Sequence, residues 1–234
     1  MEVQKPPQIT LGQWAYQVIK DLVMNNQLFP GQEVSIIRLT EILNISQTPV
    51  REAVARLSAE GYIEQEAHKK LRISTITQEF VKQVYRARKL LEPFLAAKVA
   101  ARVDRHPQLM DAARDIQSQA RKIIETKPEE VDFSLYLELD RKISELLRED
   151  VREELLGELM ETVTERSLRI RSYAELVNAD NPGPNHLIHK VTKEHLQIVE
   201  AILDRNPEQA KASVMVHLEN GESRTLNAVR HTKP

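Results

Sequence analysis

The character of the chain changes near residues 74–77, and this change constrains the fold more than any other feature. Before it, short apolar segments alternate with turn signals such as Pro30-Gly31 and Glu60-Gly61. After it, apolar residues recur at helical spacing in long segments, with breaks at short polar or proline-containing sites. We therefore expect a mainly α protein with two domains, residues 1–75 and residues 76–234.

The composition favours helices and excludes several kinds of chemistry. The chain has six glycines and 4% aromatic residues among its 234 residues. It contains no cysteine, which excludes disulfides, thiolate nucleophiles and zinc–thiolate sites. No apolar run approaches the roughly 20 residues that span a bilayer, and the first residues lack the pattern of a secretory signal. We expect a cytoplasmic protein without a membrane partner.

The N-terminal pattern predicts three short helices followed by a β-hairpin. A capping box at Thr10 opens the first helix, Ser35 can cap the second, and Pro49 stands in the first turn of the third. Residues 62–66 and 70–74 then have the composition of two short strands around a turn. This order predicts a winged helix-turn-helix, whose third helix enters the major groove of DNA.

Net charge does not identify this domain as a DNA-binding one, because residues 1–75 carry eight Lys/Arg and eight Asp/Glu. The prediction depends instead on where polar side chains stand, since hydroxyls suit phosphate oxygens while Gln and Arg can read base edges. The candidate contacts are Ser46, Gln47, Thr48 and Arg51 in the first turn of the third helix, Arg56 further along it, and His68, Lys69 and Lys70 at the wing tip. The alternative is that Ser46 and Thr48 only cap the helix and the basic residues are solvated.

Residues 15–74 resemble the DNA-binding domain of the GntR family of bacterial regulators. The resemblance rests on Pro30-Gly31, on the run Ser46-Gln47-Thr48-Pro49-Val50-Arg51-Glu52-Ala53-Val54, and on Arg56-Leu57-Ser58-Ala59-Glu60-Gly61. It implies a transcription regulator that binds double-stranded DNA, and we expect a two-fold operator bound by a homodimer.

Two positions depart from the pattern of that family. Gln47 stands where the family usually has Arg, and Ile37 matches a frequent Arg of the second helix, with Arg38 beside it as a further candidate contact. Arg favours guanine whereas Gln suits adenine. We therefore expect an operator with adenine where relatives of the family prefer guanine.

The C-terminal part predicts six helices over residues 77–104, 107–126, 129–149, 151–178, 185–205 and 207–230. Four titratable residues fall on their apolar faces, namely Arg88, Asp140, His195 and His217. A charge on a buried face is costly unless it is partnered. We therefore expect these residues to converge on one polar cavity inside an all-α bundle, where Pro93 should kink the first helix.

Residues 77–230 resemble the FCD domain of the FadR subfamily of GntR regulators. The matching segments are Tyr85 to Pro93, the helix around Asp140, Glu194 to Ile202, and Ala210 to Leu218. In many FCD domains an Asp, a His four residues later and two further His bind a divalent metal. The resemblance implies Asp140, His195 and His217 as ligands, with Ser144 in place of the other His.

Asp and two imidazoles suit zinc, nickel or manganese and leave open positions for water or a ligand carboxylate. We expect a small carboxylate effector, with Arg88 as its anchor and Ser144 lining the pocket. His186 and His189 are alternative ligands, although their Pro/Gly-containing surroundings favour surface positions. The alternative is a hydrogen-bonded core network of Asp140, His195, His217 and Arg88 that holds no metal.

Two other classes of protein fit the sequence less well than a regulator does. An acid–base enzyme could use the same four polar residues, but the sequence has no Gly-rich phosphate loop and no nucleophile elbow, and residues 10–75 would have no role. A structural helical protein fits the C-terminal part but not the wing. We therefore expect a regulator that is not an enzyme.

Overall fold

A computed structural model of the chain describes residues 9–65, 70–149, 154–177 and 184–230. The chain forms two compact units. The first extends to Thr77 and also includes Leu168–Leu176, and the second contains Gln78–Ser167 and Val177–His231. The mainly α fold that the sequence predicts is confirmed. Among the described helices, none has both the length and the apolar character needed to cross a membrane.

The described residues of the first unit that precede Ser74 form three helices and a three-stranded antiparallel sheet. The elements are α1 (Leu11–Met24), β1 (Glu33–Val34), α2 (Ile36–Leu43), α3 (Gln47–Ala59), β2 (Ile63–Gln65) and β3 (Leu71–Ile73). β3 lies in the centre of the sheet, with β1 on one side and β2 on the other. The sequence predicted the β2–β3 hairpin but missed β1. The turn of that hairpin, with His68 and Lys69, lies outside the described residues.

Local signals fix the ends of these helices. Thr10 and Gln13 form the predicted capping box, and the Ser35 side chain accepts a hydrogen bond from the Arg38 amide. Asn44 ends α2 in the left-handed conformation with φ of 51°, which makes the turn into α3 tight. Ser46 is the N-cap residue of α3, but its side chain makes no capping hydrogen bond.

A continuous apolar core holds the three helices on the sheet. It contains side chains of α1, α2 and α3 together with Tyr62, Ile63, Leu71 and Ile73. Among these side chains, Ile19, Leu39, Leu57 and Ile73 are completely buried. Burial on this scale, at about 25 cal/mol per Å² of apolar surface, fixes the position of α3 relative to the sheet.

The segment Leu168–Leu176 contributes polar contacts to the first unit. Arg169 is 1% exposed and donates a hydrogen bond to the carbonyl oxygen of Ser74, at the end of β3. Its guanidinium carbon lies 5.5 Å from the centre of the Tyr62 ring. Asn26 Nδ2 donates to Ser172 Oγ at 2.7 Å. These contacts tie residues that are far apart in sequence into one unit.

The remaining helices are long. They are α4 (Gln78–Ala100), α5 (Pro107–Glu125), α6 (Phe133–Arg148), α7 (Glu154–Val177), α8 (Pro184–Leu203) and α9 (Pro207–Arg230). Two short 3₁₀ turns replace the ends of predicted helices. Val103–Arg105 lies at the end of the predicted helix 77–104, and Pro128–Glu130 lies at the start of the predicted helix 129–149. Pro93 is buried inside α4, and the helix continues past it to Ala100.

In the second unit α4 packs along α9, and α8 packs against both α5 and α9. The α4–α9 contact is close because Gly221 has no side chain. A Cβ atom at this position would lie 3.1 Å from the hydroxyl oxygen of Tyr85, which is hydrogen bonded to Thr225 Oγ1 at 3.0 Å. This contact sets the spacing of the two helices that carry Arg88 and His217.

Candidate functional site

The first turn of α3 presents a polar and exposed surface. Ser46, Gln47, Thr48 and Arg51 are all exposed. The Gln47 side-chain oxygen accepts a hydrogen bond from Arg51 Nη2 at 3.1 Å, one helical turn away. Because the Ser46 hydroxyl does not cap the helix, the capping alternative does not explain this residue. The geometry leaves this turn able to contact the edges of bases.

Other candidate DNA contacts in the first unit form surface ion pairs. Arg38 Nη1 lies 3.2 Å from Glu41 Oε2, with both side chains more than half exposed. Lys70 Nζ lies 3.5 Å from Glu33 Oε2, and Arg72 pairs with the same carboxylate. Exposed pairs of this kind contribute at most about 1 kcal/mol, so phosphate groups can compete for these cations.

Arg56 belongs to a cluster that the sequence did not reveal. Its guanidinium carbon lies 3.8 Å from the centre of the Tyr16 ring, and Nε pairs with Glu60 Oε1 at 3.0 Å. The Tyr16 hydroxyl donates to Glu60 Oε2 at 2.6 Å. Burial, together with the hydrogen bond to Glu60, raises the pKa of Tyr16. Arg56 therefore links α1 to α3 while its side chain stays 58% exposed.

In the second unit, three of the predicted residues meet. Asp140 on α6, His195 on α8 and His217 on α9 each offer one ligand atom, and these atoms lie within 4.8 Å of one another. Asp140 Oδ1 is 3.5 Å from His195 Nε2, and the ring centres of His195 and His217 are 4.7 Å apart. The three side chains are 16%, 1% and 12% exposed, respectively.

This arrangement fits a divalent cation. Zinc bonds of about 2.0–2.1 Å place neighbouring donor atoms about 3.3 Å apart in a tetrahedral site. The 3.5 Å between Asp140 and His195 is already close to that separation. Burial is the largest influence on His217 and lowers its pKa, so the ring is neutral and able to ligate near neutral pH.

Three other residues, Ser144, His186 and His189, are candidates for this pocket on sequence grounds. Ser144 Oγ donates to the Asp140 carbonyl oxygen at 3.1 Å, within its own helix, and so does not replace the expected histidine in the observed rotamer. Among the described residues, His189 is not part of the cluster. The side chain of His186 lies outside the described residues.

A second layer of polar contacts, which the sequence analysis missed, surrounds His217. Its Nδ1 atom lies 3.0 Å from Glu194 Oε2. Glu194 also accepts hydrogen bonds from Asn220 at 2.9 Å and from both terminal nitrogens of Arg224 at 3.0 and 3.1 Å. Burial alone would raise the pKa of Glu194, but the bonds from His217 and Arg224 outweigh it and lower the value to about 2.

Arg88 is buried and already paired. Its Nε and Nη2 atoms contact the two carboxylate oxygens of Glu92 at 2.6 and 3.2 Å, and its guanidinium lies 5.1 Å from the Tyr85 ring centre. The charge of Arg88 contributes to the lowered pKa of His217, so Arg88 acts on the same region as the cluster. The sequence analysis identified Arg88 but missed Glu92, although i,i+4 spacing on one helix is a readable signal.

A winged helix-turn-helix unit joined to an all-α unit is the arrangement of a class of DNA-binding transcriptional regulators. Residues 11–73 match the family described as "Bacterial regulatory proteins, gntR family", and residues 83–220 match the FCD domain. The chain belongs to the GntR family of bacterial transcriptional regulators, in the FadR-like group that carries an FCD domain.

Curated relatives match over most of their length. The regulator LutR of Bacillus subtilis is 28% identical over 86% of this chain and 94% of its own. The Nta operon transcriptional regulator of Aminobacter aminovorans is 25% identical over 86% and 88%. The transcriptional repressor RspR of Escherichia coli is 23% identical over 94% and 90%. All three relatives are described as transcriptional regulators or repressors.

Solved structures share the fold. E. coli McbR/YncC superimposes with a TM-score of 0.70 at 17% identity, over 94% of this chain and 99% of its own. A GntR regulator from Rhodococcus sp. RHA1 gives a TM-score of 0.64 at 20% identity, over 92% and 97%. The metal-free FCD domain of TM0439 gives 0.51 at 17% identity, over 68% of this chain and all of its own.

Proposed function

We propose that this regulator binds a two-fold repeated operator as a homodimer and is controlled by a small organic acid, together with a divalent metal, in its helical unit. The observation that carries the proposal is the largely buried group of Asp140, His195 and His217 on three different helices. Three potential ligands from three helices, with their ligand atoms within 4.8 Å of one another, supply the donor set and the spacing that a divalent cation requires. A gel-shift assay with the promoter region of its own gene, with and without effector, tests the function as a whole.

The operator is read by the first turn of α3. Gln47 and Arg51 supply the base contacts, Ser46 and Thr48 contact phosphates, and the exposed cations Arg38, Arg56 and Lys70 add backbone contacts, as His68 and Lys69 do at the wing tip. Selection of bound sequences with the wild type and with Gln47→Arg tests this assignment. An adenine-to-guanine change at one position of each half-site is expected, and an unchanged consensus refutes it.

The homodimer is supported by an apolar surface on α4. Leu90 and Phe94 stand four residues apart on one face and are 77% and 55% exposed. An exposed apolar pair of this size favours association with a second copy, and a two-fold operator requires one. Sedimentation of Leu90→Lys should show monomers where the wild type shows dimers, whereas Lys82→Ala on the same helix should leave the dimer intact.

The metal would be held by Asp140, His195 and His217. When bound, such a cation supplies open coordination positions that accept the carboxylate of an effector. Metal content after chelation and reloading tests this site. Asp140→Asn should lose the metal, and Glu138→Gln, which removes a carboxylate from the exposed side of the same helix, should retain it. No metal in the wild type, with no thermal shift on adding zinc or nickel, favours the metal-free network.

Ser144→His provides a gain-of-function test. This position is one helical turn after Asp140, so a histidine there lies on the same face of α6 as Asp140. We expect this variant to bind zinc more tightly than the wild type. Equal affinity would refute the assignment of this position as the missing ligand.

In this proposal Arg88 binds the carboxylate of the effector, which replaces Glu92 as the partner of the guanidinium group. A thermal-shift screen of small organic acids should identify compounds that stabilise the wild type but not Arg88→Ala. Arg86→Ala is the matched control because Arg86 is 67% exposed on the same helix. Full ligand-responsive release of DNA by Arg88→Ala would contradict this role.

A further inference from the structure

We infer that Glu194 is a positioning residue that fixes the ring tautomer of His217 and thereby aims the free ring nitrogen, Nε2, at Asp140 and His195. The inference rests on the proposed metal function and extends it to a residue outside the ligand set. Its basis is the 3.0 Å contact between Glu194 Oε2 and His217 Nδ1.

The chemistry of the two partners determines the tautomer. An ionised carboxylate accepts hydrogen bonds and has none to donate. His217 must therefore carry its proton on Nδ1 in order to make this bond. A neutral imidazole has one N–H, so Nε2 keeps its lone pair and can bind a metal. Metal-binding histidines commonly have such a partner on the second ring nitrogen.

The carboxylate of Glu194 is itself held in place by α9. Asn220 and Arg224 stand three and seven residues after His217, on the same face of that helix. Arg224 contacts both oxygens of Glu194, at 3.0 and 3.1 Å, and Asn220 adds a bond of 2.9 Å to Oε1. A bidentate guanidinium contact keeps the carboxylate ionised and restricts its rotation. One residue of α8 is thus fixed by three residues of α9.

The position of Glu194 in sequence explains why it can act without being a ligand. It directly precedes His195, so the two side chains leave α8 in different directions. His195 contributes a ligand atom to the cluster, whereas Glu194 contacts the Nδ1 atom of the His217 ring. Both side chains are nearly buried, at 7% and 1% exposure, so water has little access to compete for these bonds.

Glu194→Gln tests the inference with two measurements on the full chain. In metal-free wild type, ring ¹⁵N shifts should show His217 protonated on Nδ1, with the signal assigned by comparison with His217→Gln. In Glu194→Gln the Nε2-protonated form should gain population, and zinc affinity measured by calorimetry should fall about 10–100-fold. Glu219→Gln removes an exposed carboxylate two residues from His217 and should change neither measurement.

The outcomes separate the inference from the proposed function. Nε2 protonation of His217 in the wild type overturns the inference, and this measurement does not depend on how any Glu194 variant folds. Zinc affinity in Glu194→Gln equal to that of the wild type also overturns it. A wild type that binds no zinc, nickel or manganese refutes the proposed metal function instead. Arg224→Gln, which keeps Glu194 but loosens it, should lower zinc affinity less than Glu194→Gln does.

Discussion

The helices α4 and α9 pack closely at Gly221, and we predict that the hydroxyl group of Tyr85 decides whether Gly221→Ala stabilises or destabilises the protein. In Gly221→Ala, the new Cβ atom would lie 3.1 Å from Tyr85 Oη and 3.3 Å from its Cε1. Thr225 Oγ1 already donates to the Gly221 carbonyl at 2.9 Å, so Tyr85 is the donor in its 3.0 Å bond to Thr225. The ring is 3% exposed and tethered, and it has little room to move aside.

Two opposing contributions set the size of the effect. Replacing Gly by Ala inside a helix stabilises it by about 1 kcal/mol. Forcing a methyl group into a packed contact costs about 1–3 kcal/mol. Because Tyr85 is buried and tethered, we expect the second contribution to prevail and the free energy of unfolding of Gly221→Ala to fall by about 1 kcal/mol.

In the Tyr85→Phe background, we expect Gly221→Ala to be no longer destabilising. Removing the hydroxyl group removes the nearest atom and the tether, while Thr225 keeps its bond to Gly221. In that background Gly221→Ala should be neutral or stabilising by up to about 1 kcal/mol. Urea unfolding of the four proteins, followed by far-UV circular dichroism, gives the coupling energy, expected at about 1–2 kcal/mol. Additive effects of the two substitutions would refute this reasoning.

Three further predictions concern buried charges. The free energy of unfolding should fall in acid, because the pKa of Glu194 is about 2 in the folded protein instead of its ordinary 4.5. This shift contributes about 3 kcal/mol to the free energy of unfolding, which is fully present above pH 4.5 and is lost as the pH falls towards 2. The lowered pKa of His217 adds a loss that begins below its ordinary 6.5. Urea unfolding of Glu92→Gln should show a loss of about 3–5 kcal/mol, because Arg88 then remains buried without its carboxylate, and added acetate should restore part of it. Arg169→Met should destabilise the first unit by about 1–3 kcal/mol, measured by the fluorescence of the single tryptophan, which lies in its core.

Each of these predictions has a matched comparison. The pH dependence between 4.5 and 2 should flatten in Glu194→Gln and stay unchanged in Glu219→Gln, and an equally steep fall in both would contradict the assignment to Glu194. Glu79→Gln removes an exposed carboxylate from α4 and should cost far less than Glu92→Gln. Wild-type stability of Arg169→Met would show that the Ser74 carbonyl does not depend on this donor.

The sequence predicted most helices because their signals are local. The Thr10 capping box, the N-terminal Pro107 of α5 and the periodic apolar residues each act within a few residues. It missed β1, since Glu33–Val34 is too short to show a period and exists only through pairing with β3. The inclusion of Leu168–Leu176 in the first unit was equally unpredictable, because no local pattern records a contact across 95 residues.

In the candidate site, too, residues with a local sequence signal were predictable and residues defined by distant contacts were not. Asp140, His195 and His217 were predictable because each is a polar residue on an apolar face, which requires a partner. Glu194 gave no such signal: a glutamate beside a histidine is usually solvated, and its partners lie on another helix. The bond from Ser144 to its own helix is a rotamer choice that sequence alone does not determine.

The position of Arg169 has a consequence for synthesis of the protein in the cell. Its acceptor, the Ser74 carbonyl, leaves the ribosome 95 residues earlier. At about 5–20 residues per second, the carbonyl waits roughly 5–20 seconds for this partner. During that interval the nascent chain has α1, α2, α3 and the strands, but not the segment that completes their unit. The DNA-binding unit is therefore finished only after most of the helical unit has been translated.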